Sequence, residues 1–268
     1  MLPRMTRAVI VAAAIALAAC AAPRADSAVP MRGVPGFDTR DYPGDDVMRA
    51  WFGTSPYRWV GYYLPAPCYT GSTWSGRRDT LREIGWGFAL IYVGEQDWRA
   101  MSGAAVDTAG VEDPRCSSAH LTEEQGRAHA DDAASAAADD GFAAGSVIFL
   151  DVERVESVSA GLVAYVRSWV ARMLEAGRYT PGLYAHDSNV AELYVVVAEE
   201  FGRRQRSERA PLWVARTAGF DLRSAPRESG YGAALIWQGV LNTREEWGGA
   251  PLNIDVNVAT SPDPSGGS

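Results

Sequence analysis

Residues 146–153 (SVIFLDVE) decide the fold that we predict. Their apolar run continues through Leu150, as expected of a strand that is covered on both faces, and such strands are typical of parallel sheets packed between helices. Asp151 and Glu153 end the run. Because they are two residues apart, an extended strand points both side chains the same way, with their Cα atoms about 7 Å apart.

Seven further apolar runs, rich in Val, Ile, Tyr and Trp, alternate with stretches of helical composition, a pattern typical of repeated βα units. The predicted strands cover residues 34–39, 59–64, 87–94, 146–153, 180–185, 210–216, 233–239 and 253–259. The predicted helices cover residues 45–52, 76–84, 122–138, 159–175 and 190–206. Eight parallel strands favour an α/β fold, a TIM-like (β/α) barrel. An open doubly wound sheet is the alternative.

The last third of the chain is poorer in helical patterns. Residues 217–232 and 241–252 look like loops, so we expect an incomplete ring of helices around the last strands. The predicted barrel domain covers residues 33–260, and residues 261–268 (SPDPSGGS) are predicted to form a disordered tail.

The N-terminal residues indicate export. Arg4 and Arg7 precede an apolar run, residues 8–19, that is too short to cross a bilayer as a helix, which is typical of a signal peptide. Residues 17–20 (LAAC) resemble the lipobox of bacterial lipoproteins, which implies removal of residues 1–19 and acylation of Cys20. Residues 20–32 then form a flexible tether to a bacterial membrane.

An ordinary secretory signal, cleaved near residue 22 or 25, is the alternative. Either route places the mature chain outside the cytoplasm.

Charge and cysteine content narrow the function further. The formal net charge is −8, and it becomes −10 without residues 1–19, which disfavours a nucleic-acid partner. An oxidising compartment favours a disulfide between Cys68 and Cys116, with two separate thiols as the alternative. The three histidines lack zinc-type spacing, and we expect no metal and no other cofactor.

The pair Asp151 and Glu153 suggests acid–base chemistry. Two carboxyl groups that share a barrel mouth do not both ionise easily, so one stays protonated and can donate to a leaving group, as glycoside hydrolysis requires. We assign Glu153 as the general acid and Asp151 as the orienting or stabilising carboxylate. The alternative is that the two acids merely end a strand, capping the next helix or pairing with Arg154.

Other residues are expected near the same mouth. Asp38 ends the first strand, and Asp255 lies between two apolar residues and is expected to point inward, where a polar group needs a partner or a purpose. Aromatic side chains at the strand ends, Tyr62 among them, suit sugar rings, although about half of the set is expected to belong to the core. The candidate substrate-binding residues are Asp38, Asp255, Tyr92, Tyr184, Trp213, Trp237 and Gln238.

Several motifs resemble a known family when they are taken in order: GFDT, IYVG, GSVIFLDVE, WQG and IDVNV. Over residues 33–260 the chain resembles the glycoside-hydrolase-like domain family once catalogued as a domain of unknown function, which is related to the family-25 lysozymes. The resemblance implies a barrel with fewer helices around its last strands, and cleavage of the muramic acid to glucosamine linkage of peptidoglycan. It also implies an active groove lined by Asp38, Asp151, Glu153 and Asp255.

Two positions depart from that pattern, since Arg40 follows the first strand and Arg216 follows the sixth. Such changes could alter the sugar that is recognised or abolish turnover. The leading expectation is a monomeric, lipid-anchored glycoside hydrolase that acts on a cell-wall polysaccharide, with peptidoglycan the first candidate.

A non-catalytic, glycan-binding barrel that localises or regulates cell-wall enzymes is the main alternative. A transglycosylase or an amidase-like enzyme ranks lower, because no Cys/His or Ser/His constellation supports acyl transfer.

Overall fold

The protein is described by a computed structural model that covers residues 32–69, 71, 73–101 and 115–266. The predicted signal peptide, the acylation site Cys20 and nearly all of the predicted tether lie outside these residues. Within the described part of the chain, no helix combines the length and apolar character that a membrane crossing requires.

Eight strands close into a barrel in chain order. They are β1 (Val34–Asp38), β2 (Trp59–Tyr63), β3 (Gly87–Val93), β4 (Val147–Val152), β5 (Thr180–His186), β6 (Leu212–Ala215), β7 (Ala234–Trp247) and β8 (Ala250–Ala259). Strands β1 to β7 pair in parallel, whereas β8 is antiparallel to both β1 and β7. The barrel prediction is confirmed, and the prediction that all eight strands are parallel is wrong.

The described α-helices all precede β6. They are α1 (Asp45–Thr54), α2 (Arg78–Ile84), α3 (Glu123–Asp139), α4 (Ala160–Ala176) and α5 (Val190–Arg203). Their starts follow from capping residues, because the hydroxyl of Thr122 accepts from the amide of Gln125, and that of Ser159 from the amide of Leu162. Between β6 and β7 the described chain has only a short 3₁₀ turn, Pro226–Ser229. The incomplete helical ring is therefore confirmed.

A long β-hairpin occupies the place that a loop was expected to fill. The chain predicted as the loop 241–252 continues β7 and begins β8, with irregular register between Gln238 and Thr243. This arm packs on α1, where the indole N–H of Trp51 donates to the carbonyl of Ala250 at 2.8 Å. Tyr57 adds a hydrogen bond from its hydroxyl to Glu245 at 2.9 Å. The hairpin thus extends from the barrel and packs against the helix α1.

The end of the described chain is packed rather than loose. Ser265 is 2% exposed, and its hydroxyl accepts from the amide of Leu90 while its carbonyl accepts from the amide of Val147. The carboxylate of Asp263 accepts from the amide of Phe88. Residues 261–266 therefore fill the gap between the first halves of β3 and β4, contrary to the predicted disordered tail, because they satisfy backbone groups there.

Two apolar layers hold the barrel together. The inner layer fills the barrel below its mouth, and Trp213 lies at its centre with Trp59, Phe149 and Tyr184 edge-on around it, at ring-centroid distances of 5.8, 5.7 and 5.4 Å. The outer layer packs the helices on the sheet. A disulfide joins Cys68 to Cys116, as predicted, and it ties the chain after β2 to the segment before α3.

Candidate active site

The inner face of β4 carries the two acids that the sequence singles out. Alternate residues of this strand divide between the layers, since Val147 and Phe149 belong to the inner cluster while Ile148, Leu150 and Val152 belong to the outer one. That alternation directs Asp151 inward, above Phe149. Asp151 is buried and Glu153, one step farther toward the mouth, is partly exposed.

Asp38 and Asp255 face each other at the same end of the barrel. They are register partners of β1 and β8, which run in opposite directions. Asp38 ends its strand, whereas Asp255 lies in the middle of β8 and reaches the mouth only because that strand is antiparallel. Gly61 of β2 makes room for the pair, because a Cβ at this position would lie 2.5 Å from the Cβ of Asp38.

A network of neutral donors holds these two carboxyl groups. The hydroxyl of Tyr63 donates to one oxygen of Asp38 at 2.9 Å, and the side-chain amide of Asn257 donates to the other at 2.9 Å. Asp255 accepts from the amide of Gln238 at 2.6 Å and from the backbone N–H of Asn242 at 2.6 Å. Buried donors of this kind fix the orientation of both groups.

The network continues down into the barrel. Tyr184 donates its hydroxyl to the side-chain oxygen of Gln238 at 2.7 Å, and the indole N–H of Trp213 donates to Asn257 at 3.0 Å. Tyr184 and Trp213 therefore lie beneath the acids, as a buried floor that positions the amides.

Raised pKa values distinguish Asp151 and Glu153 from ordinary surface acids. Burial raises the pKa of Asp151 well above its usual value, and the neighbouring carboxyl groups of Glu153 and Asp38 raise it further. One oxygen of Asp151 is buried without a hydrogen-bond partner among the described residues. Burial also raises the pKa of Glu153, as does the nearby Asp255, although the backbone N–H of Arg154 opposes the rise.

The other two acids are shifted in the same direction. Burial raises the pKa of Asp38 well above its usual value, with a contribution from Asp255, while hydrogen bonds from Asn257 and Tyr63 lower it. Burial raises the pKa of Asp255, and its bond from Asn242 opposes this. Because each of these carboxyl groups disfavours the ionisation of its neighbours, the group keeps its protons to a higher pH than isolated acids do.

The backbone of the two acids on β4 is clamped from the segment after β3. The side-chain amide of Gln96 donates to the carbonyl of Asp151 at 2.9 Å, and its oxygen accepts from the N–H of Glu153 at 3.0 Å. Asn189, just before α5, donates to the carbonyl of Glu153 at 2.9 Å. Buried amides from two neighbouring connections thus fix the direction in which Glu153 projects.

The structure brings only part of the predicted set to the mouth. Tyr184, Trp213 and Gln238 lie under the acids, as described above. Tyr92 instead belongs to the outer layer, where its hydroxyl donates to Asp132 of α3. Trp237 also lies outside the sheet, against Phe220. These two are placed apart from the mouth, because alternate residues of a strand face opposite sides.

Sequence reasoning missed four polar residues of the site, Tyr63, Gln96, Asn189 and Asn257, and only Tyr63 and Asn257 are marked by a pattern in the sequence. Asn257 is two residues from Asp255, so the argument that pairs Asp151 with Glu153 applies to it as well. Tyr63 is two residues beyond Gly61 on β2, on the face that the glycine opens. Gln96 follows its strand in a loop and left no such signal.

Metal-binding potential lies away from the mouth. Among the described residues, one group of potential ligands comes together: Cys68, Glu95 and Cys116. Its two sulfur atoms are bonded to each other in the disulfide, so they are not free thiolates.

Comparison with known proteins gives a family and a set of folds. The model of the family described as "Rv2525c-like, glycoside hydrolase-like domain" matches residues 49–259. No curated protein matches the chain.

Solved structures share the fold at low identity. An uncharacterised protein of B. stearothermophilus is 22% identical with a TM-score of 0.54, over 85% of this chain and 96% of that one. The Clostridium perfringens spore cortex lytic enzyme SleM is 14% identical with a TM-score of 0.52, over 85% and 67%. The catalytic domain of the endolysin ply40 from Listeria monocytogenes bacteriophage P40 is 16% identical with a TM-score of 0.51, over 85% and 94%.

Proposed function

The chain belongs to the Rv2525c-like, glycoside hydrolase-like domain family, and from that membership and the site we propose that it hydrolyses a cell-wall polysaccharide, peptidoglycan first, with Glu153 as general acid. The observation that carries the proposal is the inward projection of Asp151 and Glu153 from one strand, both with raised pKa values. Two similar structures are named as a spore cortex lytic enzyme and an endolysin, which supports a wall glycan as substrate.

In this mechanism Glu153 protonates the glycosidic oxygen of the bond that breaks. It suits the role because it is the partly exposed member of the pair and its raised pKa keeps the proton available at higher pH. Asp151, buried behind it, either stabilises the positive charge that develops on the sugar ring or orients the substrate group that attacks the ring. Asp38 and Asp255, which are held by amide donors, contact sugar hydroxyls above the floor that Tyr184 and Trp213 form.

The test is the release of reducing ends from purified peptidoglycan and from a panel of other wall glycans. We expect Glu153→Gln to reduce kcat by about 10²- to 10⁴-fold with a Tm no lower than that of wild type. Glu156→Gln is the matched control, because it makes the same chemical change at an exposed residue three positions away. If the wild-type protein releases no reducing ends from any glycan, the hydrolase proposal fails.

A non-catalytic, glycan-binding barrel is the second candidate, and one observation favours it. All four acids have raised pKa values, and a site whose acids are all neutral lacks the ionised carboxylate that hydrolysis requires. Calorimetric titration with soluble peptidoglycan fragments separates the two functions. Binding without cleavage, unchanged in Glu153→Gln, would favour this candidate.

We also propose that the protein acts outside the cytoplasm, anchored through an acylated Cys20, and that the anchored protein is a monomer. The lipobox-like residues 17–20 support the anchor. Cells grown with a clickable palmitate analogue should label the wild-type chain, whereas Cys20→Ala should abolish labelling and release the protein from membranes. Labelling that persists in Cys20→Ala would refute the anchor.

A further inference from the structure

The base of the barrel, opposite the mouth, contains a pocket of about 420 Å³. It lies where β6 and β7 begin and β8 ends. Three arginines line it, Arg32, Arg209 and Arg227, together with small and apolar residues, and no carboxylate is part of the lining. We refer to these three arginines and the cavity between them as the basal pocket.

The arginines of the basal pocket are only partly neutralised. Arg32 forms an ion pair with Glu228 at 2.6 Å, and Arg209 has a long hydrogen bond of 3.4 Å to the carbonyl of Gly232. Neither Arg209 nor Arg227 has an ion pair with a described residue, and both are exposed. The pocket therefore keeps a positive charge in a protein whose formal net charge is −8.

More arginines surround the pocket at the same end. Arg223 is exposed, and its carbonyl accepts from the backbone N–H of Arg32. Arg178 is exposed in the turn before β5. The acidic groups of the candidate site are concentrated at the opposite end, in the mouth. Arginines are thus grouped around the pocket at this end, and the four acids of the candidate site lie at the other end.

The position of the basal pocket relates it to the proposed anchor. The described chain starts at Arg32, directly before β1, so the basal pocket lies at the point where residues 20–32 join the barrel. Eleven residues lie between Cys20 and Arg32, and these twelve Cα–Cα steps can span about 40 Å at full extension and about 20 Å as a flexible coil. An acyl group at Cys20 would keep the base within that distance of a membrane.

We propose that the base of the barrel docks on an anionic phospholipid surface, with the basal pocket taking up the phosphodiester of a headgroup. Arginine suits this ligand because its planar fork donates two parallel hydrogen bonds to phosphate oxygens. Docking in this way directs the mouth away from the membrane, toward the wall. The location of the protein at a membrane rests on the proposed anchor. The affinity of the basal pocket for a phosphodiester does not depend on that anchor.

The test uses the chain from residue 20 onward with Cys20→Ser, which has no acyl group and retains every described residue. Sedimentation with vesicles of phosphatidylcholine, alone or with about 30% phosphatidylglycerol, measures partitioning at low salt. We expect binding to the anionic vesicles only. Arg209→Ala/Arg227→Ala should weaken it by about 25-fold, since each arginine at an anionic surface contributes roughly fivefold.

The matched control is Arg49→Ala/Arg244→Ala, which removes the same charge from two exposed arginines on α1 and the hairpin. It should bind within about twofold of the parent chain. Equal losses in the two double variants, or equal binding to neutral vesicles, would overturn the proposal.

Calorimetry with inorganic phosphate is the last arm of the test. Phosphate binding without vesicle association would show that the pocket takes a free anion, and membrane docking would be overturned. Because no arm of the test involves a glycan, its failure is distinguishable from failure of the hydrolase proposal.

Discussion

At the scale of single residues, Gln96 controls the geometry of the proposed catalytic pair without belonging to it. Its amide is bonded to the carbonyl of Asp151 and to the N–H of Glu153, so it holds the strand on both sides of Val152. A small displacement of a reacting group lowers the rate steeply, by about 10²-fold for 1 Å. Gln96 is therefore a positioning residue in the mechanism that we propose.

Gln96→Leu should lower kcat by about 10²-fold and leave KM nearly unchanged, because the sugar-binding groups stay in place. Gln96→Glu provides a sharper comparison, since a protonated carboxyl group at this position can form both hydrogen bonds and an ionised one cannot. Its kcat, relative to wild type, should recover as the pH falls. Steady-state kinetics of the three proteins between pH 4 and 8 tests this, and a kcat for Gln96→Leu within twofold of wild type would contradict it.

Residue identity alone did not reveal which aromatic side chains reach the mouth. Strands covered on both faces are apolar on both faces, so residue type does not distinguish Tyr62 from Tyr63, and only the spacing from Gly61 does. The acids were predictable because a carboxyl group on such a strand is costly and needs a reason. A tyrosine on the same strand is not costly, and for that reason Tyr92 was expected at the mouth while Tyr63 was missed.

At the scale of elements, the helices and most strands could be predicted, but the direction of the last strand was predicted wrongly. Capping residues such as Thr122 and Ser159 mark helix starts locally, whereas strand direction depends on the connection that precedes it. The signal for that connection was Gly248 and Gly249. Both have positive φ, 59° and 79°, as a two-residue turn that joins antiparallel strands requires.

The hairpin has a consequence for the site. An antiparallel β8 brings Asp255 to the mouth at mid-strand and pairs it with Asp38, whereas in a parallel strand residues 256–259 would lie nearer the mouth and Asp255 would lie below it. The irregular register after Gln238 then bends the arm onto α1. The hairpin therefore closes the barrel, completes the group of acids and packs against α1.

At the scale of the whole molecule, charge is arranged along the barrel axis. Asp38, Asp151, Glu153 and Asp255 share one end, and the basal pocket lies at the other. Such an arrangement orients a tethered protein over an anionic surface, because only the end that carries the arginines is attracted when it comes within a Debye length of about 8–10 Å of that surface. The composition, with its net charge of −8, could not predict this, because the sum conceals the separation.

The mouth acids should also make stability depend on pH, in the direction opposite to that of salt-bridged acids. Their pKa values are raised in the folded protein, so the unfolded chain releases these protons first as the pH rises. Between about pH 4 and the raised pKa values the folded state binds more protons than the unfolded state. The free energy of unfolding should therefore fall as the pH rises through this range.

Asp151→Asn isolates this effect, because it removes a buried carboxyl group that has an oxygen without a partner among the described residues. We expect a higher Tm than wild type at pH 7, by roughly 2–4 °C for each kcal/mol regained, and a shallower decline of Tm between pH 4 and 8. Calorimetry across this range measures both, and Glu156→Gln controls for the loss of one negative charge at an exposed position. A Tm that rises with pH in the wild-type protein, or an equal slope in Asp151→Asn, would contradict the idea that the mouth acids are held at the expense of stability.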